Sequence, residues 1–331
     1  METIAVVGAG AWGTAFAKIL ADAGHACTIW GRNEAVVREI NQAHTNSARL
    51  PGFTLPDTIT ATADLPGLLA TASVVVVALP SQKARAVLTD VQIAPDATIV
   101  SLMKGVELST DLRMSEMLID TLQIPSSQVV VVSGPNLARE IADGQPAATV
   151  VAGSDSRHTK AIARLCITDY FRPYTNADVI GVELGGAVKN VIAIAAGMAA
   201  GVGYGDNTKA TIITRGLAEI TRLAITLGAD PQTMAGLAGM GDLVATCASP
   251  LSRNHTFGAH MGRGLGIDEA IAATGGTVEG AKSCRSVLEL AHTHNVDMPL
   301  TAAVVAAVYD GLDIHQMTAN LLSRPHKDER A

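Results

Sequence analysis

The chain has 331 residues, enough for two domains, and 48% of them are hydrophobic against 17% charged. Such a chain buries large cores and is not a disordered one. The net charge of −7 argues against nucleic acid as the main partner, because neutralising phosphates takes a basic surface. Cys27, Cys166, Cys247 and Cys284 are far apart and form no CxxC pair, so they read as scattered reduced thiols rather than a disulfide or zinc framework. His292 and His294 sit two apart on an expected helix and point to different faces, so no metal site is expected.

The N-terminus Met1-Glu2-Thr3 lacks a basic leader, and no signal peptide is expected. Residues 3–8 form a short apolar run bounded by Gly8, a buried strand. Trp12, Ala15, Phe16, Ile19, Leu20 and Ala23 then recur at helical spacing, and Gly24 ends the helix. Further strands are expected at 26–30, 73–79, 98–103, 128–133 and 147–152, with helical patterns between them. Strands this apolar, alternating with helices, predict a parallel sheet covered on both faces.

Beyond Glu183 only helical patterns remain, at 183–202, 208–228, 251–262, 279–294 and 299–309. The expected division is an α/β domain over 1–181 and an all-helical domain over 182–331. Residues 184–203 carry only Lys189 and Asn190 as polar side chains. The apolar part reads as too short for a membrane span, so a buried helix in a soluble, cytoplasmic protein is expected. The charged tail, residues 326–330, is expected to be solvated.

Gly8-Ala9-Gly10-Ala11-Trp12-Gly13 fits GxGxxG, and it both follows a strand and opens a helix. Gly8 permits the tight turn, Gly10 lets the backbone approach a pyrophosphate, and Gly13 lets the helix pack on the sheet. This marks a Rossmann-type dinucleotide site at a helix N-terminus. After the second strand comes Trp30-Gly31-Arg32-Asn33, with no acid until Glu34. Arg32 is suited to a 2′-phosphate, which favours NADP(H) while leaving NAD(H) open; the alternative is a surface arginine at a helix start.

Lys189 is the most informative residue of the second half, an ammonium on an otherwise apolar helix. Burial lowers a lysine pKa, and such a group can exchange a proton near neutral pH. The alternatives are a structural ion pair or a lysine reaching to the surface. Lys104, at the carboxyl end of a strand, is placed either to meet cofactor and substrate or to be a solvated loop lysine. Ser252-Arg253-Asn254 opens a helix and reads as an anion site or as simple N-capping by Ser252. Asp242 is suited to bind a substrate hydroxyl, to orient Lys189, or to cap a helix.

Together these segments resemble the bacterial NAD(P)-dependent glycerol-3-phosphate dehydrogenases over almost the whole chain. The likeness runs through the N-terminal fingerprint, Met103-Lys104-Gly105, Ser133-Gly134-Pro135 and the stretch from Gly181 to Ala193 that holds Lys189-Asn190. It continues through Thr214-Arg215-Gly216-Leu217-Ala218-Glu219, Gly239-Met240-Gly241-Asp242-Leu243, Ser252-Arg253-Asn254 and Val278-Glu279-Gly280.

The resemblance implies a Rossmann domain followed by an all-α domain of the 6-phosphogluconate dehydrogenase-like type. It implies hydride transfer between NAD(P)(H) and the pair dihydroxyacetone phosphate and sn-glycerol 3-phosphate, supplying a phospholipid precursor. Lys189 is then the proton acceptor, with Thr246 in support, and Lys104 is shared by cofactor and substrate. Gly134, Asn136, Asp242, Ser252, Arg253 and Asn254 are implied substrate contacts. Gly8, Gly10, Ala11, Trp12, Gly13, Arg32, Ala138, Arg253, Val278 and Glu279 are implied cofactor contacts. A homodimer is also implied.

Two positions depart from the family pattern: Ala11 stands where Ser is frequent, and Asn136 where Ser or Thr is usual. Two other readings compete. A β-hydroxyacid dehydrogenase also pairs a Rossmann domain with a helical Lys–Asn, but Ser252-Arg253-Asn254 and Val278-Glu279-Gly280 speak against it. A non-catalytic NAD(P)H sensor would keep the fingerprint without requiring Lys104, Lys189 and Asp242 together.

Overall fold

The apolar runs of the first half become the interior of one eight-stranded sheet. The computed structural model describes residues 2–108, 110–276 and 278–323; the charged tail at 326–330 lies outside them. The strands are β1 (Ile4–Val7), β2 (Cys27–Trp30), β3 (Ile59–Thr62), β4 (Val74–Val77), β5 (Thr98–Ser101), β6 (Val129–Ser133), β7 (Ala147–Gly153) and β8 (Phe171–Asn176). They lie in the order β3-β2-β1-β4-β5-β6-β7-β8. Every residue of β1 and β4 is buried, as a central strand covered on both faces requires. Val6 pairs with Ile29 on one side and Val76 on the other, so the strand order reverses at β1 and a crevice opens beyond its carboxyl end.

The expectation of a wholly parallel sheet is corrected. β7 runs antiparallel to β6, while β8 is again parallel to β7. After Ser133 the chain makes no crossover. It turns at Gly134-Pro135, forms the short helix Ala138–Ala142 against helix Ala11–Asp22, and returns from the same end of the sheet. Two strands were not legible in the sequence. β3 (ITAT) alternates buried and exposed residues with only two fully apolar positions. β8 (FRPYTN) buries only Phe171 and carries a proline, which an edge strand tolerates and an inner strand does not.

All described strands end by Asn176, and helix Val179–Val202 follows; the expected cut at 181/182 falls in its first turn. Asp178 starts this helix by accepting from Gly181 N at 2.8 Å, and Gly203 ends it in the left-handed region at φ 94°. The helix is apolar all round, with a mean hydropathy of 1.6 over its best window, long enough by composition to cross a membrane. That corrects the expectation that its apolar part is too short. Its cover is protein: 89% of that window is buried, against helices Asp206–Thr226, Arg253–Gly262, Glu279–Thr293 and Pro299–Tyr309. Five further helical segments were not expected: Pro231–Ala235, the π turn Leu237–Gly241, Asp242–Ala248, Ile267–Thr274 and Ile314–Leu322. Most are a turn or two long, and the glycines at 236, 239 and 241 hide the periodicity of the second and third.

Two features hold the long helix in place. Glu183 bridges to the sheet domain: its carboxylate accepts from Ser115 N at 2.7 Å, Ser115 Oγ at 2.5 Å and Arg113 Nη1 at 2.6 Å. Burial pushes this carboxyl up, and the Arg113 charge opposes the shift. On the opposite side, glycines let two backbones touch. A Cβ on Gly197 would overlap the His255 carbonyl, and one on Gly258 would stand 2.9 Å from Met198 N. Gly197→Val should therefore cost roughly 2–3 kcal/mol through overpacking. In a thermal melt this reads as a midpoint lower by about 5 °C or more; an unchanged midpoint would show that the helices do not meet backbone to backbone.

Candidate active site

The loop between β1 and helix Ala11–Asp22 is shaped by its three glycines, each differently. Gly8 has φ 125°, and a Cβ there would sit 2.6 Å from the Ala78 carbonyl oxygen. A Cβ on Gly13 would meet Gly8 O and stand 2.9 Å from Ala78 Cβ, so Gly13 seats the helix on β4's end. Gly10 is the opposite case, since a Cβ there would meet nothing within 4 Å. The space above it is open. The helix's first internal bond is Thr14 N to Gly10 O at 2.9 Å, and no side chain caps it, so the earlier N–H groups face that space. Ala11 adds no hydroxyl. Trp12 packs edge-on to Phe16, with centroids 5.6 Å apart, and its buried Nε1 has no partner among the described residues.

Asn46, which the sequence did not single out, ties the loop down from below. Its Nδ2 donates to Ala9 O at 3.1 Å and to Thr14 Oγ1 at 2.9 Å. Ala138 opens the short helix beside this loop. Arg32 is exposed just past β2, with no ion pair or hydrogen bond among the described residues, while Asn33 caps the next helix. The 2′-phosphate reading of Arg32 is thus compatible with its position at the crevice.

The chemical centre lies past the ends of β5 and β6. Lys104 Nζ donates to Gly134 O at 3.1 Å and pairs with Asp242 Oδ2 at 2.6 Å. The other oxygen of Asp242 takes Lys189 Nζ, which also donates to Thr246 Oγ1 at 2.6 Å. Asp242 is 1% exposed and Lys189 6%. One carboxylate thus serves two ammonium groups in a nearly dry site, leaving an excess of positive charge. Burial pushes Lys189 down to about 8; the Asp242 charge opposes that shift and the Lys104 charge adds to it.

The backbone around this centre explains how it assembles. A Cβ on Gly185 would overlap the Ala238 carbonyl, and one on Gly186 would lie 2.5 Å from Ser133 Oγ and 3.4 Å from Lys104 Cγ. These two glycines let the long helix lie against β6 and the π turn, which brings Lys189 to Asp242. The π turn Leu237–Gly241 ends where Asp242 opens its own helix, with Thr246 one turn on. Gly134 has φ 143°, and Asn136 Nδ2 donates to Thr149 Oγ1 at 3.0 Å.

Ser252 caps helix Arg253–Gly262, accepting from His255 N at 3.3 Å. Asn254 is a brace: Nδ2 donates to Asn190 Oδ1 and Oδ1 accepts from Gly280 N, both at 2.9 Å. Val278 precedes helix Glu279–Thr293, and Glu279 is its first residue. Burial pushes the half-buried Glu279 carboxyl up, and the charges of Arg253, Lys104 and Lys189 oppose this, so all four share one neighbourhood. Asn46, Thr149, Ser133 and Asn190 are the polar residues that sequence reasoning did not select. Asn46 and Thr149 carry no local signal, whereas Ser133 and Asn190 stand in motifs whose roles only their partners reveal. Among the described residues no three His, Cys, Asp or Glu side chains are grouped to hold a metal.

Family models match both parts of the chain: residues 3–159 fit the NAD-dependent glycerol-3-phosphate dehydrogenase N-terminus, and residues 178–319 its C-terminus. The chain belongs to this family. It is 55% identical to the glycerol-3-phosphate dehydrogenase [NAD(P)+] of Streptomyces griseus, over 98% of each chain. It is 54% identical to that of Thermobifida fusca, covering 100% of this chain and 99% of the other. The crystal structure of glycerol-3-phosphate dehydrogenase from Coxiella burnetii superposes with a TM-score of 0.93 at 37% identity, covering 98% of this chain and 99% of that one. The fold of this glycerol-3-phosphate dehydrogenase family member is therefore a Rossmann-like sheet domain followed by a helical domain.

The open space above Gly10 yields a prediction. Gly10→Val should leave the thermal midpoint of the free protein within a degree or so, yet weaken NADPH binding at least tenfold, roughly the worth of one lost close contact. Undiminished affinity, measured by nucleotide fluorescence, would move the dinucleotide away from this loop.

Proposed function

We propose that the chain catalyses the reversible reduction of dihydroxyacetone phosphate to sn-glycerol 3-phosphate with NAD(P)H. The observation that carries this reading is the buried Lys104–Asp242–Lys189 array at the carboxyl edge of the sheet. It combines a lysine able to exchange a proton near neutral pH with a positive environment for an anionic ketone.

The residues present fit a dinucleotide. The uncapped helix N-terminus, the open face of Gly10 and the unpartnered Trp12 Nε1 form a cradle. Gly8, Gly10, Ala11, Trp12 and Gly13 would hold the pyrophosphate end, and Ala138, Arg253, Val278 and Glu279 the remainder. When bound, the cofactor supplies the hydride for ketone reduction.

The chain's own residues do the rest. Arg253 and the neighbouring N–H groups at the start of its helix attract the substrate phosphate. Lys189, as an ammonium, gives its proton to the developing alcohol oxygen; as an amine it accepts that proton in the oxidative direction. Asp242 and Thr246 hold Nζ in place, and Lys104 adds positive charge beside the growing alkoxide. Residues 1–181 carry most of the cofactor contacts in this reading and 182–331 most of the substrate contacts. In this reading, as the family resemblance implies, the enzyme acts as a cytoplasmic homodimer supplying a phospholipid precursor, and its one long apolar helix is covered by protein.

The lowered pKa sets the pH dependence. In glycerol 3-phosphate oxidation kcat/KM should rise as pH passes about 8, where Lys189 becomes the amine. In reduction it should be level below about 8 and fall above. Asp242→Asn removes the charge that holds this value up, so the midpoint should move to lower pH. Lys189→Ala should cut turnover at least ~100-fold, the usual worth of a general acid, with NADPH binding retained; near-normal turnover excludes the role.

Arg32 sets cofactor choice in this proposal. Arg32→Ala should raise KM for NADPH at least ~10-fold, the order expected for a lost charge-assisted pair, with KM for NADH little changed. Equal effects on both nucleotides would show that Arg32 does not read the 2′-phosphate.

A further inference from the structure

The second peptide of the glycine loop is held by a residue distant in the chain. Asn46 is 1% exposed, and its Nδ2 donates to Ala9 O at 3.1 Å and to Thr14 Oγ1 at 2.9 Å, which uses both of its hydrogens. Its Oδ1 is buried with no partner among the described residues, so the side chain serves there by its donors alone. The turn that carries it is itself fixed. Arg49 N and Leu50 N donate to Asn46 O at 3.1 and 2.8 Å, and Leu55 N closes the loop on His44 O at 2.7 Å. Leu50 and Phe53 join one apolar cluster with Trp12 and Ala138.

Holding the Ala9 carbonyl decides where the other side of that peptide points. A trans peptide is planar, so its C=O and N–H point in opposite directions. With Ala9 O drawn to Asn46, the Gly10 N–H is turned away from it, and that N–H has no acceptor among the described residues. Ala9 Cβ lies against Gly31, where an added Cβ would stand 3.3 Å from it, so the peptide is held from two sides. We infer that Asn46 is a positioning residue for the dinucleotide: by holding Ala9 O it aims the Gly10 N–H at the pyrophosphate. Its bond to Thr14 fixes the first turn of the helix in the same frame, so the free N–H groups of that turn and of Gly10 converge on one anion. Without the Asn46 donors the Ala9–Gly10 peptide can rotate, since Gly10 has no Cβ to restrain it, and the N–H leaves the phosphate. This rests on the reading that the β1 loop receives the pyrophosphate. It concerns the part common to NADPH and NADH, whereas Arg32 concerns the 2′-phosphate alone.

The test measures Kd for NADPH and for NADH by nucleotide fluorescence, with kcat and KM alongside, in the wild type, Asn46→Leu and Thr14→Val. Leucine has the size of asparagine and no donor. Asn46→Leu should raise Kd for both nucleotides by the same factor, at least ~10-fold, the order expected for a lost bond to a charged group. The loss should fall on KM for the nucleotide rather than on kcat or on KM for dihydroxyacetone phosphate. Thr14→Val keeps the bond to Ala9 and should leave both Kd values within about 3-fold of wild type. Unchanged Kd values in Asn46→Leu overturn the proposal, and so does a loss confined to NADPH. An equal loss in Thr14→Val would assign Asn46 to seating the helix, and a fall in kcat with a raised KM for the ketone would show general distortion; either overturns it. Asn46→Ala removes the donor without adding a branched apolar group, and it should show the same loss where the leucine variant does not fold. A thermal melt of each free variant reports folding; failure of both to fold would show that Asn46 serves the fold rather than the nucleotide and counts against the assignment. Gly10→Val separates this inference from the reading beneath it. Undiminished NADPH binding there removes the loop reading itself, whereas weakened binding there with none in Asn46→Leu removes only the role of Asn46.

Discussion

The Asp242 carboxylate, shared between Lys104 and Lys189, is the constraint around which the molecule is arranged. Two ammonium groups, Lys189 buried and Lys104 half-buried, would be expensive side by side without a counter-charge. With Asp242 between them, one comes from the carboxyl edge of the sheet and the other from the middle of the helical core. The ion triad is therefore also a joint between the two parts of the chain. Its net positive charge is what an anionic substrate would complete.

That joint works only because the surrounding backbones come unusually close. Gly185 and Gly186 leave room for Ala238 and Ser133 at the face that presents Lys189. Gly197 and Gly258 do the same further along, where helix Arg253–Gly262 crosses and carries Arg253 toward the site. Glu183, held by Arg113 and Ser115, adds a polar tie to the sheet domain two turns before Lys189. The chain's aromatic content of only 3% and its 31 glycines fit this arrangement. Close helix packing replaces large side chains as the means of positioning.

The site also divides its polar groups by task. Lys104, Lys189 and Arg253 provide positive charge, Asn254 and Ser252 spend their side chains on bracing and capping, and Asn136 donates to Thr149. Residues that the sequence places together by type, such as Ser252-Arg253-Asn254, thus separate by function once their hydrogen bonds are seen. Ser252 satisfies a helix end, and Asn254 connects three helices.

Much of the fold was legible along the chain because it rests on local pattern. Apolar β-branched runs gave the six inner strands, the placing of Gly8, Gly10 and Gly13 between strand and helix gave the dinucleotide loop, and an isolated Lys189 in an apolar helix gave the proton-transfer candidate. What depended on partners far away in sequence was not legible. The edge strands β3 and β8 bury too few side chains to leave an apolar run. The reversal at β7 is decided by how Gly134-Pro135 and helix Ala138–Ala142 fold back on helix Ala11–Asp22. The pairing of Asp242 with both lysines arises from contacts between distant parts of the chain. Sequence by itself determined which chemical groups the site possesses, because residue type and local spacing are local properties. Tertiary structure alone decided which of them face one another, because hydrogen bonding and burial are properties of neighbours in space.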